Sequence, residues 1–150
     1  MVQIINQMTL EFLSIPANVA FARVTVAAFA AQLDYTLSDL DEIKVAVSEA
    51  VGNAIVHGYD KSPDRFVKIA ATLTPDTLEI SVEDNGKGIE NVEKALEPAF
   101  TTDAERLGLG FVFMHSFMDS LQVKSEPGQG TVVIMTKRVG AGIAPVSKEQ

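Results

Sequence analysis

Glu49, Asn53 and His57 stand at four-residue steps inside the small and apolar run Ser48-Glu-Ala-Val-Gly-Asn-Ala-Ile-Val-His-Gly-Tyr59. On a helix each such step advances about 40° and about 6 Å, so an acid, an amide and an imidazole form one stripe able to meet a single ligand. Ile43, Val47, Ala50 and Ala54 mark the core-facing arc beside it. A carboxylate at that margin is partly desolvated and calls for a capping group, a metal ion or a substrate proton. Taken alone, Glu49 reads as an acid on a solvated flank. With Asn53 one turn on, that alternative and a shared ligand stand level.

Two glycine-rich stretches add chemistry of another kind. Asp84-Asn85-Gly86-Lys87-Gly88 follows a strand pattern. A carboxylate leaving a strand end can accept a hydrogen bond from an exocyclic amine such as that of adenine, and alternate glycines let backbone approach a flat ligand. In isolation Asn-Gly after a strand is an ordinary turn. Arg106-Leu107-Gly108-Leu109-Gly110-Phe111 precedes a helical pattern. Free N–H groups at a helix start, glycines that permit close contact and an arginine together suit a phosphate. A glycine-rich helix start with a surface arginine explains the same residues equally well. The aperiodic segment Pro98 to Leu107 lies between the two loops, where it could close over a ligand. Thr131, just after Gly130, would bring a hydroxyl near Asp84 if their strands were neighbours.

The elements that must position these residues follow from periodicity and turn chemistry. Thr9 to Ile15 alternates as a first strand, and Pro16 suits the first turn of a helix reaching about Leu33. A second helix starts near Ser38, with Asp39, Asp41 and Glu42 at its positive end, and stops at Gly58. Phe66 to Leu73 and Leu78 to Glu83 form a hairpin around Thr74-Pro-Asp-Thr77. A short helix follows around Asn91 to Leu96, then a helix opened by glycines from Gly108 to Met118. Leu121 to Ser125 and Thr131 to Arg138 make a last hairpin. Strands that arrive as adjacent pairs with helices between the pairs predict an α+β fold, a two-layer sandwich of a mixed β-sheet covered by helices on one face. Residues 1 to 139 form one domain, and the Gly- and Ala-rich end from 140 to 150 is expected to be a disordered tail.

Composition narrows the chemistry. With 150 residues, 47% of them hydrophobic, the chain can bury roughly two thirds of the surface its unfolded form exposes. It contains no cysteine and only two histidines, so sulfur-based zinc sites and thiolate nucleophiles are excluded, and any metal must be held mainly by oxygen. A net charge of −8 opposes binding to nucleic acid or anionic lipid. The apolar runs are too short or too interrupted for a membrane span, and no signal peptide opens the sequence, which points to the cytoplasm.

Together, Glu49-x-x-x-Asn53, Asp84-x-Gly86-x-Gly88 and Gly108-x-Gly110, in this order, resemble the GHKL (Bergerat) ATP-binding fold shared by gyrase, Hsp90, histidine kinases and the mismatch-repair ATPase. From about Thr9 to Lys137 the chain looks most like the stand-alone serine kinases that act as anti-sigma factors in sporulation. Phe21-Ala-Arg-Val-Thr-Val-Ala-Ala-Phe29, Asn53-Ala-Ile55, His57-Gly-Tyr59 and Phe100-Thr-Thr102 carry that likeness. The resemblance implies ATP or ADP with Mg²⁺ as cofactors. Asn53 would hold the metal and Glu49 would be the general base. Asp84 would take the adenine amine, with Gly86, Gly88 and Thr131 around the base. Arg106, Gly108, Leu109 and Gly110 would contact phosphates, and Pro98 to Leu107, including Thr101 and Thr102, would be the lid. Arg23 would face protein partners. Those partners would be a sigma factor of the sigma F type, an anti-anti-sigma protein phosphorylated on serine, and a second copy of the chain. No role for His57 beyond a helix-end structural one follows. Gly52, where such kinases often carry Thr, and Leu107, in place of a polar residue, depart from the pattern. A general-stress kinase of the same class, a plain GHKL ATPase, a histidine-kinase catalytic module and a nucleotide-dependent binding protein without catalysis are the alternatives.

Overall fold

Alternation of apolar and polar residues builds the sheet, and the same alternation decides which polar groups end up inside. The computed structural model describes residues 3–97 and 103–140, without the side chains of 103–106. Its five strands are β1 (Asn6–Leu13), β2 (Phe66–Leu73), β3 (Thr77–Asp84), β4 (Ser120–Glu126) and β5 (Gly130–Arg138). They lie in the order β1-β2-β3-β5-β4. Val67, Ile69, Ala71 and Leu73 of β2 point inward, as do Leu78, Ile80 and Val82 of β3. Asp84 is the next residue in that inward series, so a carboxylate closes the core face of β3. On β5 the inward series is Thr131, Val133, Met135 and Lys137, a polar residue at each end of the strand.

All four strand pairings are antiparallel, where a mixed sheet was expected. The two hairpins simply meet edge to edge, β3 against β5, and among the described residues no parallel crossover is needed to join them. The two-layer α+β arrangement is as expected. Helices α1 (Ala17–Ala30), α2 (Leu37–Asn53), α3 (Val92–Ala95) and α4 (Asp103–Phe117) complete it. α2 lies between α1 and α4, touching both. It starts from a capping box, in which the Thr36 hydroxyl accepts from the Asp39 N–H at 3.0 Å and the Asp39 carboxylate accepts from the Thr36 N–H at 3.2 Å. Ile43, Ala46, Val47, Ala50 and Val51 seat it on the sheet.

β1 lies two to three residues earlier than expected and α1 ends at Ala30 instead of about Leu33, and two boundaries at the site also depart from the sequence expectation. α2 does not run unbroken to Gly58. It passes after Asn53 into a π-helical turn, Ala54–Gly58, the wider turn that concentrates at functional sites. α4 begins at Asp103, so Gly108 and Gly110 lie inside it instead of opening it. Glycine costs a helix interior up to about 1 kcal/mol relative to alanine. Burial of Phe111 and Met114 on the core face of α4 offsets that cost. Of the expected tail, 140–150, all but Gly140 lies outside the described residues.

Candidate functional site

The inward ends of β3 and β5 fix the floor of the site. Asp84 and Thr131 are direct cross-strand partners, so carboxylate and hydroxyl sit side by side on the core face, as the sequence anticipated for neighbouring strands. Both are buried. They line a cavity of about 450 Å³ that Asn53, His57, Gly88 and Phe111 also line. Helix, strand end and glycine loop therefore converge on one space.

The loop holding Asp84 is locked by backbone contacts that only glycine permits. A Cβ on Gly86 would stand 2.0 Å from the Gly58 carbonyl oxygen, and one on Gly130 would stand 2.1 Å from the Asp84 carbonyl oxygen. Gly88, at φ +76, passes equally close to the Glu126 carbonyl. Hydrogen bonds join the same segments. The Lys87 N–H donates to the Gly58 carbonyl at 3.0 Å, and the Gly128 N–H donates to the Lys87 carbonyl at 2.7 Å. The Asp84-to-Gly88 loop is thus wedged between the π-turn that ends α2 and the β4–β5 turn.

Side chains that sequence reasoning missed complete the frame. The Tyr59 hydroxyl accepts the Asn85 N–H at 2.7 Å and donates to the Phe66 carbonyl at 2.5 Å. Arg65 lies 4.7 Å from the Tyr59 ring centroid and donates to the Asn85 carbonyl at 3.0 Å. Ser125 accepts the Ile89 N–H at 2.8 Å and touches the Thr131 hydroxyl at 2.8 Å. Little in the sequence marks these residues, because each acts across a distance in chain that no local period records. The clearest available signal was the glycine at 130, which follows a turn and carries φ +87.

Burial pushes the Asp84 carboxyl above its ordinary value, against the pull of backbone N–H groups from Gly86, at 2.9 Å, and from Thr131. Burial likewise raises Glu49. Glu49 and Asn53 meet α4 at Gly110, where a Cβ would stand 3.0 Å from the Glu49 Oε1 and 3.1 Å from the Asn53 Nδ2. The role of Gly110 in this conformation is to let α4 lie against the acid–amide pair. The N–H groups of Gly108 and Gly110 are interior to the helix, so they do not form the open anion cradle expected of a helix start. Leu109 is half exposed, away from the cavity, and Leu107 lines it.

Among the described residues, Asn53 Nδ2 is buried without a hydrogen-bond partner. Turning the amide by 180° exchanges its two polar atoms, so the side chain holds one unsatisfied position for a ligand in either setting. A cation that takes oxygen ligands, held beside phosphate, fits this amide. His57 lines the cavity from the π-turn, displaced from the straight row that an unbroken helix would have given. Arg23 stands outside the cavity on α1, its Nη1 donating to the Ser48 hydroxyl of α2 at 3.0 Å. Thr101 and Thr102, and the side chain of Arg106, lie outside the described residues.

Residues 12–137 match the family model of the histidine kinase-like ATPase domain. The chain is 53% identical over 136 residues to an anti-sigma F factor of Clostridium perfringens, covering 89% of this chain and 97% of the relative. It belongs to the anti-sigma F factor family. A second member, from Thermoanaerobacter, is 51% identical over 138 residues, covering 91% of this chain and 96% of the relative. The fold is also that of a Mycobacterium tuberculosis protein with RsbU and RsbW domains, at a TM-score of 0.65 and 20% identity, covering 89% of this chain and 32% of that one. A blue-light activated histidine kinase of Erythrobacter litoralis matches at a TM-score of 0.53 and 23% identity, over 71% of this chain and 32% of the kinase.

Proposed function

We propose that this chain binds Mg-ATP in the cavity floored by Asp84, transfers the γ-phosphoryl group to a serine of an anti-anti-sigma protein, and holds a sigma factor of the sigma F type away from RNA polymerase. One observation carries the proposal: a buried carboxylate, partnered with Thr131, faces the same cavity as the unsatisfied amide of Asn53. A carboxylate so enclosed would accept a hydrogen bond from the adenine amine. Asn53 would hold the magnesium ion, which when bound neutralises phosphate charge.

The chain's own groups account for the remaining steps. Glu49 accepts the proton of the incoming serine hydroxyl while that oxygen bonds to the γ-phosphorus and the bond to the bridging oxygen breaks, releasing ADP. Its desolvation raises its basicity in the direction a general base needs. Gly110 keeps α4 close enough to shield the pair from water. Arg106, Thr101 and Thr102 would contact phosphate from the lid side, and Arg23 would face the protein partner. The sigma-holding form is a dimer, located in the cytoplasm.

Incubation with Mg-ATP and the cognate anti-anti-sigma protein tests this directly. Wild type should deposit phosphate on serine, and Glu49→Gln should not. Acid-labile phosphate on a histidine, or phosphoserine formed by Glu49→Gln at the wild-type rate, would contradict the assignment. Pull-down with sigma F type and general-stress sigma factors separates the two kinase alternatives.

A further inference from the structure

Ser125 is saturated in a way that fixes the proton of its neighbour. Its Oγ accepts the Ile89 N–H at 2.8 Å and donates to the Gly130 carbonyl at 2.9 Å. A carbonyl can only accept, so the single Ser125 proton is committed there. The contact between Ser125 Oγ and Thr131 Oγ1, at 2.8 Å, must then be made by the Thr131 proton. Ser125 has two lone pairs, and Ile89 and Thr131 fill both. Thr131 is left with lone pairs alone to offer the cavity it lines beside Asp84.

We propose that Ser125 is a specificity-determining residue that turns Thr131 into an obligate hydrogen-bond acceptor and so selects a 6-amino purine over a 6-oxo purine. The proposal rests on nucleotide binding at the Asp84 cavity. The amine of adenine carries two N–H groups and suits a floor of two acceptors, Asp84 and Thr131. A 6-oxo purine in the same pose would set its carbonyl oxygen against two acceptors, an arrangement a site made of buried polar groups rejects strongly. If the Thr131 proton were released from Ser125, it could turn into the cavity and donate to that oxygen. Ser125 itself contacts no base. It acts through Thr131 and is a positioning residue.

Binding of ATP, GTP and ITP to wild type, Ser125→Ala, Ser125→Thr and Ser125→Ala with Thr131→Val tests the idea by calorimetry, without reference to kinase turnover. ITP, which lacks the 2-amino group, isolates the effect at position 6. Ser125→Ala should bind ITP and GTP roughly threefold to tenfold more tightly than wild type, the worth of one neutral hydrogen bond. Ser125→Thr should restore wild-type preference. In the double variant, with no Thr131 hydroxyl to turn, the gain should vanish. Unchanged ITP and GTP affinity in folded Ser125→Ala would overturn the proposal, as would a gain that survives in the double variant. Should Ser125→Ala not fold, an ATP-to-ITP preference in Thr131→Ser equal to wild type would support the proposal, and its loss there would refute it. Failure of wild type to bind ATP at all would instead count against the proposed function.

Discussion

Gly58→Ala places a methyl group against the Asp84 carboxylate, the group proposed to take the adenine amine. The added Cβ would stand 2.9 Å from Cγ, Oδ1 and Oδ2 of Asp84 alike. Favourable heavy-atom contacts lie at about 3.5–4.0 Å, so relief requires a separation of roughly 0.6–1 Å. Gly58 does not have a positive φ, so alanine is acceptable to the backbone and the clash is the dominant cost. Asp84 has little room to retreat. Its carbonyl abuts the Gly130 backbone, its carboxylate holds the Gly86 N–H at 2.9 Å, and its strand is paired in register with Thr131. A displacement of that size breaks a charge-assisted hydrogen bond to the amine, worth about 1.5–3 kcal/mol, or about a tenfold to 150-fold loss of ADP affinity. Calorimetric titration with Mg-ADP measures it, and thermal unfolding of the unliganded variant confirms that the fold persists. A folded Gly58→Ala protein whose ADP affinity stays within twofold of wild type would show that the Asp84 carboxylate does not carry base recognition.

Other substitutions separate stability from chemistry. Gly52→Ala meets nothing within 4 Å and lies inside α2, so urea unfolding should show stabilisation by about 0.5–1 kcal/mol with unchanged ADP affinity. Glu49→Gln should lower the rate of serine phosphorylation by about 10²–10⁴-fold in single-turnover measurements while ADP binding is retained. The buried Lys137 ammonium donates to the Phe117 carbonyl at 2.6 Å and to Glu42 at 3.0 Å, tying the end of α4 to α2. Lys137→Met should therefore cost about 1–3 kcal/mol in urea unfolding. For Asp84, burial raises the folded-state carboxyl, so its stabilising contribution is present below the unfolded value and is lost as pH rises through the folded one. Asp84→Asn should gain stability over wild type as pH rises above the ordinary Asp value of about 3.9, read by urea midpoints at each pH. Wild-type ADP affinity should fall on acidification at a higher pH than an ordinary carboxylate would set.

Much of this layout was written in local pattern. Val82 and Asp84 two positions apart, and Thr131 two before Val133, already placed both polar groups on an inward strand face, and the turn chemistry at Thr74 to Thr77 joined β2 to β3. The row Glu49 and Asn53 followed from helical period and held, because α2 is regular that far. His57 did not keep the row, since a π-turn arises from how α2 must end against the Asp84 loop, a tertiary demand. The start of α4 was misplaced for a related reason. Propensity reads Gly108 and Gly110 as helix openers, yet close approach of α4 to Glu49 and Asn53 needs a residue without a side chain inside the helix. The contacts of Tyr59 and Arg65 with Asn85, and of Ser125 with Ile89, span 26, 20 and 36 residues, and no spacing rule reaches that far.

The proposed convergence of π-turn, glycine loop and β5 on one adenosine phosphate is tested most directly by titrating the wild-type chain and Asp84→Asn with Mg-ADP in a calorimeter. Wild type should take up one nucleotide per chain in a saturable transition, and Asp84→Asn should show little or none while remaining folded. No uptake by wild type, or equal uptake by both, would contradict the account.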